Sequence, residues 1–200
     1  MILEKSICQH CGRTARPFDT TFVSSLSNSG APQASQEWCN SCFNRAQADR
    51  LGLHSFETVE FSTVTMTDAR RGKHEFHFRL RLFGKLSLEA FEIIDGAPGG
   101  YQFQILDQPS ADPWLLMARL VERMRRALSQ THLRRQRGTL MICDNVLRGR
   151  ITDDTTDFES GPVLVIDGKP LTWDRVGSLL STFTGSQFKL LILDRSEELP

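Results

Sequence analysis

The sequence predicts an α+β protein, in which a small N-terminal module with four cysteines precedes a mainly antiparallel sheet with one long and one short helix. Three observations predict this class. Two Cys-x-x-Cys pairs lie within the first 42 residues, apolar and polar residues alternate with period two from about residue 56, and an apolar stripe at helical spacing follows residue 113. With 40% of its 200 residues hydrophobic, the chain can form a buried core.

The charge balance and hydropathy limit the classes of protein that the chain can represent. The 24 Lys and Arg residues equal the 24 Asp and Glu residues, whereas proteins that bind nucleic acids or membrane surfaces broadly carry a basic excess. No apolar run approaches the roughly 20 residues that span a bilayer, and the first residues lack the pattern of a signal peptide. We therefore expect a cytoplasmic protein that does not associate with membranes.

The four N-terminal cysteines have the spacing of a metal site. Cys8 and Cys11 form one pair and Cys39 and Cys42 the other, and two such pairs can complete the tetrahedral shell of one zinc ion. Gly12 allows the unusual dihedral angles of the knuckle turn after the first pair. A reducing cytoplasm disfavours disulfides, and redox Cys-x-x-Cys motifs usually occur singly. The prediction is a structural Zn²⁺ with no coordination position open for catalysis.

The segment after the second pair is predicted to be helical. Helix formers dominate residues 43–51, and Gly52 stands where a C-terminal cap is expected. A knuckle, a hairpin or loop, and a helix that carries the second ligand pair follow in an order that resembles a treble-clef zinc finger. The zinc-binding domain of bacterial Clp-type unfoldases is similar over residues 7–52, except for the inserted flexible segment at residues 24–32. The resemblance implies a docking module, and its near-neutral charge favours a protein partner over phosphates.

We expect the finger to occupy residues 1–53 and an α+β domain of unknown function to occupy residues 54–200, which a sub-boundary near residue 138 could divide. No linker rich in proline or glycine separates the finger from the rest of the chain. The closing stretch 173–194 and the strand-rich body resemble bacterial domain families of uncharacterised function, and this resemblance implies no activity.

The body begins with a predicted hairpin. Residues 76, 78, 80 and 82 are apolar and alternate with charged or polar residues, which predicts a strand with one buried face. A three-residue loop at 83–85 sets Leu80 opposite Leu88 and Arg79 opposite Glu89, so that like faces meet in the next strand. The glycine-rich residues 96–100 are predicted to be a turn rather than a phosphate loop, because a strand follows them instead of a helix.

A long helix is predicted to start at Asp112 and Pro113, with its apolar stripe packed on the sheet. Residues 119–137 then carry seven arginines against Glu122 alone. Two interpretations stay open: a solvated, basic helix end that the acidic loop at 153–159 covers, or a surface for an acidic partner or nucleic acid. These arginines are Arg119, Arg123, Arg125, Arg126, Arg134, Arg135 and Arg137.

The C-terminal part is predicted to contain a strand at 163–166, a tight turn at Asp167 and Gly168, and a short helix capped by Thr172. Residues 188–193 are predicted to form a closing strand covered on both faces, and residues 196–200 to fray.

Catalytic motifs are absent from the sequence. His74 and His77 lie three apart on the first predicted strand and therefore point to opposite faces. Cys143 has no histidine in its own segment that could activate it. An active site would therefore require the fold to place Cys143, His77 or His132 beside a carboxylate.

The sequence thus favours a non-enzymatic adaptor or regulatory protein that docks a protein partner through its finger. One alternative is a nucleic-acid-binding protein that uses the arginines of 119–137 with Lys73, Arg79 and Arg81. Another is an enzyme with its site in the α+β body. The sequence does not indicate the oligomeric state.

Overall fold

The computed structural model describes residues 5–24, 35–153 and 161–198. Within these ranges three α-helices accompany mainly antiparallel strands, so the predicted α+β class is confirmed. The helices are α1 (Asn40–Arg50), α2 (Pro113–Leu128) and α3 (Trp173–Leu180). The strands are β1 (Ser6–Ile7), β2 (Thr14–Ala15), β3 (Thr20–Val23), β4 (Gln36–Cys39), β5 (Val64–Thr67), β6 (Lys73–Leu82), β7 (Leu86–Ile94), β8 (Ala97–Asp107), β9 (Leu133–Gln136), β10 (Thr139–Ile142), β11 (Arg150–Thr152), β12 (Val163–Ile166) and β13 (Lys169–Thr172).

The N-terminal region consists of two small ladders and a helix. Strands β1 and β2 pair across the first cysteine knuckle, and β3 pairs with β4, which leads directly into α1. The helix ends near Gly52, whose φ of 68° lies in the left-handed region that glycine tolerates, as predicted. Most of the predicted inserted segment at 24–32 lies outside the described residues.

A four-stranded sheet in the order β5-β6-β7-β8 forms the centre of the molecule. In β6 every second residue from Phe76 to Leu82 is buried, because these side chains share one face of the strand. The predicted hairpin register is confirmed: Leu80 lies opposite Leu88, Arg79 opposite Glu89, and Leu82 opposite Leu86 across the loop 83–85. This agreement of faces puts the apolar side of both strands against α2.

Helix α2 covers the apolar face of this sheet. The Asp112 carboxylate caps it by accepting a 2.8 Å hydrogen bond from the backbone N–H of Trp114, as the sequence predicts. Its buried stripe joins the apolar residues of the sheet in the main core, and Ala48 of α1 belongs to the same core. The buried helix residues are Leu116, Leu120, Met124 and Leu128. The predicted helix and its packing are therefore confirmed.

The C-terminal region has a second, smaller core. Strands β11, β12 and β13 form one antiparallel sheet, β9 pairs with β10, and α3 packs over Leu133 and Ile166. Thr172 caps α3 and the β12–β13 turn lies at Asp167 and Gly168, both as predicted.

The prediction of one continuous turn at residues 96–100 is wrong. The tight turn consists of Asp95 and Gly96 alone, and β8 already begins at Ala97. The register of β7 against β8 shifts between Phe91 and Glu92. Because a bulge accommodates extra residues inside a ladder, the glycines can continue as strand instead of forming a loop.

Two predictions for the C-terminal end are also wrong. Residues 188–193 form no strand, and most of their apolar side chains are exposed. Residues 196–198 are attached to α2 instead of frayed, because Arg123 donates hydrogen bonds to the carbonyl oxygens of Ser196 and Glu197 and Arg126 donates to the Glu198 carboxylate. The last two residues of the predicted frayed end, 199 and 200, lie outside the described residues. An apolar composition favours a strand, but it does not determine whether a neighbouring strand is available for pairing.

None of the described helices combines the length and apolar character that crossing a membrane requires.

Candidate metal centre

The fold brings the two cysteine pairs together. The Sγ atoms of Cys8, Cys11, Cys39 and Cys42 all lie within 4.8 Å of one another, although 27 residues separate the pairs in sequence. Cys8 and Cys39 are buried, Cys42 is half-buried and Cys11 is exposed. The four cysteines could therefore hold one metal ion.

Backbone groups shape the knuckle that presents the first pair. The N–H of Gly12 donates to the carbonyl of Cys8 at 2.8 Å, and Gly12 adopts a φ of 73°. The chain can turn this tightly at Gly12 because glycine has no Cβ to clash in the left-handed region. The knuckle is attached to β4, since the N–H of Gln9 donates to the Glu37 carbonyl and the N–H of Glu37 to the Gln9 side chain.

The second pair is held by the junction of β4 and α1. Cys39 ends the strand and stands at the N-cap position of the helix, while Cys42 lies in its first turn. The backbone N–H of Cys39 points at the Cys8 Sγ atom, 3.1 Å away. This contact joins the two pairs and favours a negatively charged sulfur at Cys8.

The thiols differ in acidity. Burial raises the pKa of Cys8, but backbone hydrogen bonds from Cys39, Cys11 and His10 outweigh it and lower this pKa to about 6. Burial and the neighbouring thiols raise the pKa of Cys42, and burial raises that of Cys39. Several thiolates cannot form so close together unless a cation offsets their charge, which is the role of a metal in such a cluster.

Four cysteine thiolates are a donor set that suits zinc, and one pair of sulfurs has the spacing of a zinc shell. In a tetrahedral shell with Zn–S bonds of about 2.3 Å, the sulfurs stand about 3.8 Å apart. The Sγ atoms of Cys11 and Cys39 are 3.8 Å apart. His10, which also lies in the knuckle, is exposed and packs its ring against Trp38 at 4.5 Å.

The finger is attached to the sheet through a buried amide. Asn44 of α1 is fully buried, donates to the Leu80 carbonyl at 2.8 Å, and accepts from the Leu82 N–H at 3.0 Å. Strand β5 pairs with β6 only as far as Phe76. The Asn44 side chain therefore takes the place of a neighbouring strand at the exposed edge of β6.

The outer face of β6 makes further contacts with the finger. Arg79 donates to the Phe18 carbonyl and pairs with Glu89, while Arg81 donates to the Thr20 carbonyl at 3.0 Å. His77 contacts the Asp19 carboxylate at 2.7 Å. Arg79 and Arg81, which the alternative nucleic-acid hypothesis placed on a binding surface, thus bond to groups within the protein.

The two histidines of β6 lie in separate environments, as expected from strand geometry. His74 places its Nδ1 atom 2.6 Å from Glu92 and its Nε2 atom 3.2 Å from Asp68. Burial lowers the pKa of His74, but the contacts with Glu92 and Asp68 outweigh it and raise this pKa. The two carboxylates therefore lie near different nitrogen atoms of the ring, and all three side chains are partly shielded from solvent.

The possible catalytic residues are dispersed. His77 lies against the finger, whereas Cys143 follows β10 and donates its backbone N–H to the His132 carbonyl at 2.8 Å. The Asp167 carboxylate accepts from the backbone N–H of His132, not from its imidazole. Cavities of about 350 and 550 Å³ are lined by other residues. In the part of the chain that the structure describes, these contacts do not bring a nucleophile, a base and a carboxylate together.

Several of the arginines in residues 119–137 already make contacts within the protein. Arg119 pairs with Asp107 and Arg126 with Glu198 at 2.9 Å, while Arg123 donates to the carbonyls of Gln104 and Ser196. The C-terminal residues therefore cover part of this surface, and most of the acidic loop at 153–159 lies outside the described residues. Arg125 is exposed and pairs with Glu122, and Arg134, Arg135 and Arg137 are exposed around the β9–β10 hairpin.

No sequence pattern indicated the residues that join the N-terminal region to the sheet. Asn44 lies within an ordinary helical pattern, and Asp19 has no motif. The one available indication was the excess of positive charge on the outer face of β6, which requires acceptors if that face is covered.

Two family models match the chain, and both describe a domain of unknown function: DUF7686 over residues 57–129 and DUF7713 over residues 132–197. Neither match includes the cysteine cluster. No curated protein and no solved structure matches the chain. These comparisons assign no function to it.

Proposed function

We propose that the protein is a zinc-binding adaptor or regulatory protein that docks a protein partner through its N-terminal finger. The observation that carries this proposal is the cluster of four sulfurs, whose spacing fits a closed zinc shell. Such a shell has no vacant position for water or substrate, so the metal acts by holding the finger in shape. The order of knuckle, hairpin and helix supports a treble-clef finger.

The surface of the finger supports protein docking. Ile7 and Phe22 are 65% and 71% exposed, although both are large apolar side chains. Apolar residues exposed on a small module favour contact with another protein surface rather than with phosphates.

The division into a finger at 1–53 and a body at 54–200 belongs to this proposal. The family matches begin at residues 57 and 132, which supports boundaries after the finger and within the body near the proposed position 138. The contacts of Asn44 and Arg79 imply that finger and sheet move together. A reducing cytoplasm would keep the four thiols available for metal.

Two measurements test the proposal. Metal analysis of the purified protein should find one zinc per chain, and none in a Cys39→Ser, Cys42→Ser double variant. A pull-down with Phe22→Ser, which keeps all four cysteines, should lose partners that wild type retains. The exposed Leu115→Ser on α2 is the matched control and should retain them. Absence of metal, or equal recovery by Phe22→Ser and wild type, would contradict the proposal.

One observation favours a second candidate function. Arg134, Arg135 and Arg137 remain exposed around the β9–β10 hairpin and could contact nucleic-acid phosphates. Binding by these residues should weaken steeply as salt rises, because each neutralised phosphate releases counterions. A triple Arg→Ala variant should reduce the salt dependence, and binding that does not change with salt would exclude this function.

A further inference from the structure

A cleft of about 550 Å³ lies between β8, α2 and the C-terminal residues. Its apolar lining comes from Ile105 and Leu106 of β8 and from Ala118 of α2, and three arginines contribute to its polar lining. Ligand sites in proteins commonly enclose about 300 to 1,000 Å³ and combine an apolar surface with a few polar groups. The cleft therefore has the size and composition of a binding site. The three arginines are Arg119, Arg123 and Arg126.

The arginines of this β8–α2 cleft share one face of α2. They stand at positions i, i+4 and i+7 of the helix, which brings their side chains into one row. Arg119 pairs with Asp107 of β8, so its charge is already offset within the protein. Arg123 and Arg126 are therefore the two cations that the cleft offers to a ligand.

Residues 194–198, which we call the C-terminal strap, show how this pair of arginines binds a peptide. Arg123 donates to the main-chain carbonyls of Ser196, at 2.8 Å, and of Glu197. Arg126 donates to both oxygens of the Glu198 carboxylate at 2.9 Å. One arginine thus holds main-chain carbonyls and the other holds a carboxylate by charge-assisted hydrogen bonds. A phosphodiester chain has no main-chain carbonyls, so this arrangement favours an acidic peptide.

The two ends of the C-terminal strap are held with different strength. Near its start, Arg195 pairs with the buried Glu89 carboxylate of β7. At its end, the side chains of Arg126 and Glu198 are 51% and 49% exposed. Breaking an ion pair with a buried carboxylate costs much more free energy than breaking an exposed pair, which water and salt screen. The end of the strap can therefore leave the cleft while Arg195 stays bound.

The C-terminal strap covers the β8–α2 cleft without filling it. The cavity of about 550 Å³ is present while Ser196 and Glu198 line one of its sides. Ile105 and Leu106 stay only half-buried beneath it. An apolar side chain next to the bound carboxylate would remove this surface from water, which is favourable. The cleft thus has room for a contact that the described part of the strap does not make.

We propose that the β8–α2 cleft binds an acidic peptide segment of a partner protein, and that the C-terminal strap occupies the cleft as an intramolecular competitor. The ligand has two main-chain carbonyls for Arg123, a glutamate for Arg126, and an apolar side chain beside that glutamate. Its apparent affinity is reduced by the fraction of molecules in which the strap is closed. This site is separate from the finger and needs no metal.

Fluorescence anisotropy of a labelled peptide tests the competition on the full-length protein. The probe has the sequence of residues 194–199, in which a leucine follows the two glutamates, and an amidated C-terminus. Glu198→Gln weakens the strap and should bind the probe roughly two- to fivefold more tightly than wild type, the range that loss of an exposed ion pair allows. Glu75→Gln makes the same charge change at an exposed position of β6 and should bind as wild type does.

A second pair of variants, made in the Glu198→Gln protein, places the bound probe in the cleft. Arg126→Ala removes the carboxylate contact and should weaken probe binding, whereas Arg125→Ala, which does not line the cleft, should leave it unchanged. Circular dichroism should show the same fold for all variants.

Three results would overturn the proposal. They are no binding of the probe to Glu198→Gln at millimolar concentration, equal binding by Glu198→Gln and wild type, and equal losses in Arg126→Ala and Arg125→Ala. A short single-stranded oligonucleotide that binds more tightly than the probe and also depends on Arg126 would overturn it as well, in favour of a phosphate ligand.

Discussion

The finger and the central sheet are stabilised by different interactions. The sheet and α2 bury a continuous apolar core that includes Phe76, Leu88 and Leu120. The finger buries few apolar side chains besides Phe43 and Ala48, and its other buried residues include two cysteines and an amide. A small module without its own core needs a metal or a neighbour. The N-terminal region therefore relies on its contacts with the sheet and, under the proposed function, on a metal, whereas the sheet and α2 have an apolar core of their own.

Removal of the metal should produce the largest effect and should be confined to the finger. Ligation of a structural zinc supplies about 10 kcal/mol or more of folding free energy. A chelator should abolish amide protection from exchange at residues 5–24 and 35–52 and leave residues 73–128 protected. Hydrogen exchange with mass spectrometry measures both regions.

Cys143→Ser is the control for that experiment, since this thiol lies outside the cluster and should not change metal content or protection. Equal loss of protection in finger and sheet would show that the two regions do not differ as described.

A cavity in the sheet core should destabilise the whole chain instead. Leu120 is fully buried between α2 and the sheet, so Leu120→Ala should lower the free energy of unfolding by about 2 to 5 kcal/mol. Urea denaturation measures this change. Leu115→Ala, on the exposed side of α2, should have little effect. A comparable loss in both variants would contradict the assigned packing.

The contact between the regions should have an intermediate effect. Asn44→Ala leaves the Leu80 carbonyl without this donor and the Leu82 N–H without its acceptor, which should cost about 2 kcal/mol. Arg45→Ala, one residue along on the exposed side of α1, is the matched control. If Asn44→Ala changed neither the free energy of unfolding nor the hydrogen exchange of β6, the Asn44 side chain would not connect the N-terminal region to the sheet.

The smallest expected effect is a pH dependence that arises from His74. Its contacts with Glu92 and Asp68 raise its pKa in the folded protein above the ordinary value of 6.5. The stability that these contacts provide is therefore complete below pH 6.5 and is lost as pH rises through the folded pKa. Urea midpoints should fall across this range in wild type.

In His74→Gln that part of the fall should disappear, while the exposed His54→Gln should behave as wild type. The lowered pKa of Asp68 acts in a different range: its contribution is present above pH 3.8 and is lost as pH falls through the folded value. A wild-type midpoint that rose from pH 6.5 upward would show that the His74 contacts have the opposite sign.

Local patterns predicted much of the fold because they report on neighbours along the chain. The alternation in β6, the Asp112 cap and the Asp167–Gly168 turn each depend on a few adjacent residues. The cysteine pairs were identifiable because metal chelation needs short spacings within each pair. The strand at 188–193 was predicted wrongly because pairing depends on a distant partner that composition does not encode.

The sequence by itself determined the α+β class, the hairpin register and the four cysteines that the fold brings together, since periodicity, turn length and ligand spacing are short-range constraints. Only the tertiary structure decided that Asn44 completes the edge of β6, that Arg79 faces the finger, and that the apolar segment 188–193 lies exposed. These features require residues distant in sequence to meet, and which surfaces meet is decided by burial and hydrogen bonding over the whole chain.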